Sequence, residues 1–242
     1  MPAKIITPSI DIKQLASFDT CTLSNAIEHL SVRLRNEGFA SGGLRCRFPS
    51  LPPIVGYAAV GRIRTETPPV DHRCYYDRMD WWNYVASLPA PRIMVLQDSD
   101  HKPGLGAFVG EIHAAIGSAL GCLGCVTNGA VRDLPAVEAM GFQLISGRIS
   151  VSHAYAHISE MGEPVEVGGL KVSSGDLIAA DRHGVLSIPL SVAPQIPDVA
   201  TKIRECEKEL VDFCRSPNFS IEELSERIRI ANSYCDTPWP PR

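Results

Sequence analysis

The 242-residue chain has no apolar run of the roughly 18–20 residues that crossing a bilayer requires. It has no positive excess either: 23 Lys and Arg stand against 27 Asp and Glu, a net charge of −4. Binders of nucleic acid or anionic membrane carry a basic surplus, so neither partner is expected. The first eight residues, Met1 to Pro8, hold two prolines and no secretory apolar segment, which makes the cytoplasm the expected location. A second CxxC pair is missing beside Cys122-Leu123-Gly124-Cys125, so a four-thiolate zinc site is excluded. The eight cysteines, in a chain with no export signal, read as reduced thiols, and Cys-Leu-Gly-Cys-Val-Thr reads as a buried strand. There is no Gly-x-Ser-x-Gly elbow for acyl transfer, and no Gly-Lys-Ser/Thr or G-x-G-x-x-G helix start for nucleotides. Internal repeats, low-complexity tracts and long linkers are absent as well.

What is present is apolar material for a sizeable core: 45% of residues are hydrophobic. Gly and Pro clusters separate short apolar runs, the punctuation of an α/β unit. Helical spacing marks Thr22–Leu30, Tyr75–Leu88, Phe108–Leu120 and Leu134–Met140, and strands are expected at Ile54–Arg64, Arg92–Gln97 and Leu123–Thr127. Asn128-Gly129 is expected to turn the chain. Trp81 and Trp82, adjacent on one helix, either both cover core or present one ring to a pocket or subunit contact. Between Val165 and Pro189, short strands joined by glycine turns leave no room for crossover helices, so they should pair antiparallel. Val199, Ile203, Cys206, Leu210 and Phe213 then form the apolar stripe of an amphipathic tail helix.

The strand–loop–helix alternation directs attention to the carboxyl ends of the strands, where ligands of such layers bind. Arg132-Asp133 falls at one end. Arginine forks onto a carboxylate or enolate with two parallel hydrogen bonds, and a neighbouring carboxylate can hold Mg²⁺ through one bond while water fills the rest. A surface ion pair at a turn would use the same two residues. Gly110-Glu111-Ile112-His113 falls at the other end, where a helix start offers N–H groups and positive dipole to an anion. Glu111 could equally complement that dipole, and His113 could sit on the polar face. His153 and His157 stand four apart but lack the Glu and third ligand of a zinc-binding helix. Asp176 and Asp181 read as turn and strand-end residues.

Gly110-Glu111, placed 22 residues before Arg132 in Asn128-Gly129-Ala130-Val131-Arg132-Asp133, resembles the RraA-like family, and Gly175-Asp176-Leu177-Ile178-Ala179-Ala180-Asp181-Arg182-His183-Gly184-Val185 resembles its closing signature. That family includes the regulator of ribonuclease E activity and class II aldolases acting on 4-hydroxy-4-methyl-2-oxoglutarate. The resemblance implies a layered α/β/β sandwich, a single domain with a C-terminal helical tail. It sets an N-terminal extension at 1–19, the α/β/β domain at 20–190 and the tail at 191–242. It further implies homotrimers or dimers of trimers with active sites between subunits. Asp133 would bind Mg²⁺ or Mn²⁺. Arg132 would hold the carboxylate and developing enolate of pyruvate, and Gly110, Glu111, Ile112 and His113 would line the substrate. A tail glutamate of the adjacent subunit anchors metal waters in some members, and Glu205, Glu207 and Glu209 are available here.

The expected function is a divalent-metal-dependent lyase that cleaves a carbon–carbon bond of small 2-oxo acids and releases pyruvate. No lysine is positioned by motif for a Schiff base, in keeping with a metal route. A metal-associated water, Glu111 or His113 would take the hydroxyl proton. Two other readings stand beside it. One is a non-catalytic regulator that grips a ribonuclease or other protein, hinted at by Ala136 where aldolase-competent members carry an acid. The other is an enzyme of the same scaffold with a different, larger substrate, hinted at by Trp81, Trp82 and the insertion at Thr65–Tyr76.

Overall fold

The computed structural model describes residues 10–70 and 78–235, and side chains as far as residue 230. These residues form two compact units, one covering Glu37–Ile188 and the other combining the chain up to and including Asn36 with that from Pro189 onward.

The first unit is built on βαβ crossovers. Strand β1 is Arg45–Cys46 and β2 is Ile54–Arg64; helix α1, Met79–Ser87, leads into β3, Arg92–Asp98. A short strand β4, Ala107–Val109, precedes helix α2, Glu111–Ala119, and strand β5, Cys122–Val131. Helix α3, Leu134–Ala139, leads to β6, Gln143–Ile149. Strands β7 to β11 follow at His157–Met161, Val165–Val167, Leu170–Val172, Leu177–Asp181 and Gly184–Ile188. The main sheet runs β1-β6-β5-β3-β2-β10-β11, with β4 paired to β5 and β7 to β2. Its centre, β2, β3, β5 and β6, is parallel, and β10 pairs antiparallel with both β2 and β11.

Alternation along these central strands explains the layers. Ala59, Met94, Cys125 and Leu144 face a core made by Trp81, Trp82 and Val85 of α1, Ala114 of α2 and Val137 of α3. Ala58, Val60, Ile93, Val95, Val126 and Ile145 face the other way, onto the β8–β9 hairpin residues Val165, Val167, Leu170 and Val172. Both faces are therefore covered, helices on one and a hairpin on the other, which is why the parallel strands read as nearly unbroken apolar runs. This is the α/β/β sandwich expected from the resemblance. Arg92 ties the helical layer to the sheet: its Nε donates to Leu88 O (2.8 Å) and its Nη atoms to Ala86 O (2.8 Å) and Leu120 O, the carbonyls that end α1 and α2. One guanidinium thus satisfies acceptors at two helix C-termini, where cations also match the dipole.

Three local expectations are corrected. The segment Phe108–Leu120 is not one helix, because Ala107–Val109 pairs with β5 and only the residues after Gly110 coil. Asn128-Gly129 does not turn the chain. It lies inside β5, where the register to β6 shifts between Thr127 and Ala130. The Asn128 side chain explains the override: its Oδ1 accepts Asp98 N–H (2.7 Å) and its Nδ2 donates to Asp98 O (3.0 Å), clipping β5 to the end of β3. Finally, the helix expected at Tyr75–Leu88 is seen from Met79; residues 71–77 lie outside the described residues. Trp81 and Trp82 are both buried, so the core reading of the pair holds.

Helices make up the second unit. Here α4 is Ile12–Leu15 and α5 is Thr20–His29, each capped by an aspartate, Asp11 and Asp19, that accepts a first-turn N–H. Helix α6, Ile196–Cys214, packs on α5 and on α7, Ile221–Cys235. The expected tail stripe is present, with Ile203 and Phe213 buried and Val199, Cys206 and Leu210 half-buried. Among the described residues no helix is long and apolar enough to cross a membrane.

Candidate active site

At the carboxyl ends of β4 and β5 the chain does two different things. After Val109, Gly110 takes the N-cap of α2 in an extended conformation (φ −141°, ψ −158°) with no side chain to cap the helix. After Val131, Arg132 N–H donates to Val109 O (3.0 Å), which holds the two strand ends together. Asp133 then adopts a left-handed conformation, φ +55° and ψ +36°, at the N-cap of α3. Few non-glycine residues tolerate that region, aspartate and asparagine best among them.

The left-handed turn has a consequence for the side chain. An N-cap aspartate ordinarily caps its own helix, yet Asp133 makes no such bond to α3. Its Oδ2 instead accepts the N–H of Glu111 (3.2 Å), the first residue of α2, and its Oδ1 accepts Arg132 Nε–H (3.1 Å). Asp133 thus caps the neighbouring helix and is presented where the two N-termini meet. A Cβ on Gly110 would stand 2.5 Å from Asp133 Oδ2 and 2.9 Å from Arg132 Cγ, so only glycine admits this carboxylate. Partial burial raises the Asp133 carboxyl pKa, but the Glu111 N–H, the Arg132 guanidinium and the nearby His153 ring outweigh it and hold the group below its ordinary value.

The result is a cleft of about 260 Å³ lined by Gly110, Glu111, Ile112, His113, Arg132, Asp133 and His153. All six residues singled out in the sequence meet there. Their exposures differ: Glu111 and Ile112 are exposed, and the Arg132 and Asp133 side chains are about one-third accessible (29% and 34%). His113 is not on a polar face. It is 1% exposed, with its ring 4.4 Å from Phe108 and 5.6 Å from Trp82, so it floors the cleft from within the core.

His153 is the residue that sequence reasoning passed over. It reads there only as half of an HxxxH pair, but His153 lies in a loop and His157 starts β7, and their Nδ1 atoms bond separate carbonyls, Ala107 O (2.8 Å) and Tyr155 O (2.7 Å). No helix joins them, so the spacing of four carried no information about a shared ligand. Asp176 and Asp181 behave as turn residues, accepting the N–H of Ser173 and His183 (both 2.8 Å). Cys122 and Cys125 are buried in β5, and burial pushes the Cys122 thiol up to about 11 and Cys125 higher still, which leaves both inert.

The sequence profile of the Aldolase/RraA family matches residues 20–187. The chain belongs to the RraA-like family. Its relatives bear this out at the level of fold and name. A Halalkalibacterium halodurans protein provisionally named 4-hydroxy-4-methyl-2-oxoglutarate aldolase is 32% identical over 84 residues, 34% of this chain; the match spans 40% of that relative's length. An uncharacterised Pseudomonas syringae structure aligns with a TM-score of 0.68 at 20% identity, covering 93% of this chain and 96% of the other. Streptomyces coelicolor RraAS2, described as an unusual member of the RNase ES inhibitor RraA family, aligns with a TM-score of 0.64 at 20% identity, covering 81% and 93%. In this RraA-like chain the family match encloses both helix starts and the whole cleft.

Proposed function

We propose that this RraA-like protein is a divalent-metal-dependent lyase that cleaves a carbon–carbon bond of small 2-oxo acids and releases pyruvate. The observation that carries the reading is the cross-helix placement of Asp133. One carboxylate is held ionised at the mouth of the cleft, next to a guanidinium and to a helix start whose first-turn N–H groups have no acceptor in their own helix. The donor set fits Mg²⁺ or Mn²⁺: a single hard carboxylate whose oxygens each keep a second lone pair, partly open to water. Asp133 would hold the ion, and a bound ion would supply Lewis-acid stabilisation of the charge that develops on the 2-oxo oxygen.

The protein's own groups do the rest. Arg132 pairs with the substrate carboxylate and keeps its charge throughout. The start of α2, at Gly110, Glu111 and Ile112, turns N–H groups and positive dipole toward the same anion. When the bond breaks, its electron pair moves onto the pyruvate fragment as an enolate, and Arg132 and these N–H groups favour that charge over the neutral ketone. His113 lies buried beneath the cleft, packed on Phe108 and Trp82. Leu105, Ile112, Ile149, Val151 and Tyr155 are all exposed on this unit. Covering these apolar side chains supports a homotrimer or dimer of trimers, and sedimentation equilibrium that finds only monomer would remove that part.

The test is pyruvate release from oxaloacetate and from 4-hydroxy-4-methyl-2-oxoglutarate, with Mg²⁺ or Mn²⁺ and after chelation. Release that needs the metal is expected. Silence with both substrates from folded, metal-loaded protein would overturn the pyruvate-lyase reading and leave the other two, a ribonuclease-binding regulator and an enzyme of this scaffold with a different substrate.

A further inference from the structure

Helix α7 is long for what it buries. It runs for 15 residues, yet among its described side chains, 221 to 230, none is buried. Leu224 and Arg227, both half-buried, form its inner side. The Arg227 guanidinium stands 4.3 Å over the ring of Phe213 on α6, and Phe219, just before α7, packs on the same ring with centroids 5.6 Å apart. An isolated helix of this length is marginal in water, and helices in proteins draw most of their stability from packing an apolar face. Such a face exists on α7 and is open: Ile221 is 66% exposed and Ile228 41%. Seven residues make about two turns, so these isoleucines share one face, turned to the side of Leu224 and Arg227.

Charge along α7 is divided by sign. Glu222, Glu223 and Glu226 come first, Arg227 and Arg229 after them. Within the helix Glu223 pairs with Arg227 (3.0 Å) and Glu226 with Arg229 (2.7 Å), which leaves Glu222 in no ion pair among the described residues. Both intrahelical pairs are largely exposed and so hold their arginines weakly. Glu222 follows Ile221 by one residue, and Arg229 follows Ile228 by one, so acid and base stand on the same flank of the apolar stripe. The stripe and its flank thus have the same seven-residue spacing. Laid antiparallel on a copy of itself, α7 sets Ile221 against Ile228 and Glu222 against Arg229, at both ends. The registers that the two contacts ask for differ by two residues, about 3 Å, which a flexible arginine spans. A parallel pair would set like charges side by side, and that is destabilising.

We propose that α7 is a surface for a second copy of this chain: two α7 helices pair antiparallel about a two-fold axis, with Ile221 and Ile228 in the seam. Each Glu222 then faces Arg229 of the partner subunit, and the axis makes every contact twice. The family match ends at residue 187, so this surface belongs to the part of the chain outside it. It is separate from the apolar side chains of the first unit that support a trimer. Where those surfaces make a trimer, α7 joins two trimers; where they make none, it joins two chains. The inference is independent of the lyase reading.

Sedimentation of the full chain over micromolar concentrations tests it. Ile228→Glu puts a carboxylate into the seam at a position that is open in the single chain, so each subunit should stay folded while the pairing weakens by about 10²-fold. The assembly should fall to half the wild-type mass. Charge exchange then identifies the partner. Glu222→Arg and Arg229→Glu, made singly, each set like charges against each other at both ends and should shift the assembly toward half mass. Made together in one chain, they restore opposite charges only if α7 meets α7, and the wild-type mass should return. A folded Ile228→Glu protein that keeps the wild-type mass overturns the proposal, as does wild type of one or three chains. A double variant no better associated than the single ones overturns it too, because α7 then meets some other surface. Pyruvate release is not read, so these outcomes hold whatever the lyase test returns.

Discussion

Asp133→Asn is expected to remove metal-dependent pyruvate release, by about 10³-fold or more, from a protein as stable as wild type. Asparagine is the right probe because of the backbone. At φ +55° an alanine would add left-handed strain to the loss of the carboxylate, and a dead variant could then be an unfolded one. Asparagine tolerates that region and keeps an oxygen to accept the Glu111 N–H, so the cap on α2 survives. What disappears is the negative charge, and with it the hard anionic ligand and the partner of Arg132 Nε. Metal affinity measured by calorimetry should fall together with activity, while the thermal midpoint moves little. A variant that keeps wild-type pyruvate release would show that Asp133 is only an ion-pair partner at a turn.

The cleft was legible in the sequence to the extent that its chemistry is local to two helix starts. Gly110 and Glu111 open one, Arg132 and Asp133 the other, and parallel strands of a βαβ layer bring such ends to one edge. Alternation along Ile54–Arg64 and Arg92–Asp98 likewise contained the layer order, since residues of opposite parity meet the helices and the hairpin. Local signals failed where a tertiary contact outweighed them. Asn-Gly favours a tight turn, but at positions 128 and 129 the amide is occupied in clipping Asp98, and the strand continues through a shift in register. Phe108 and Val109 fit the helical period of the residues that follow, yet hydrogen bonding to β5 draws them into the sheet. His153 was out of reach for another reason. It is 20 residues from Asp133, in a loop whose course is set by contacts with β4, and no spacing rule connects the two.

Gly110→Ala provides the second large effect, and it separates geometry from charge. The backbone at Gly110 is extended, so alanine meets no conformational penalty there and the fold should form with a near-native midpoint. Its methyl group would stand 2.5 Å from Asp133 Oδ2 and 2.9 Å from Arg132 Cγ, well inside contact distance. Both groups must then shift, and Asp133 is the one with somewhere to go: its carboxylate is one-third exposed and is held by only two hydrogen bonds. Displacement by about 1 Å is enough to cost on the order of 10²-fold in rate, because positioned groups act only near their productive geometry. The charges remain, so metal should still bind, but more weakly, and kcat should carry most of the loss. Gly117→Ala is the control on the same helix. There a Cβ would meet only the side chains of Met94 and Phe142, at 3.3 Å, and activity should persist with a modest change in stability. If Gly110→Ala released pyruvate at the wild-type rate, the meeting of α2 and Asp133 would not be where the chemistry happens.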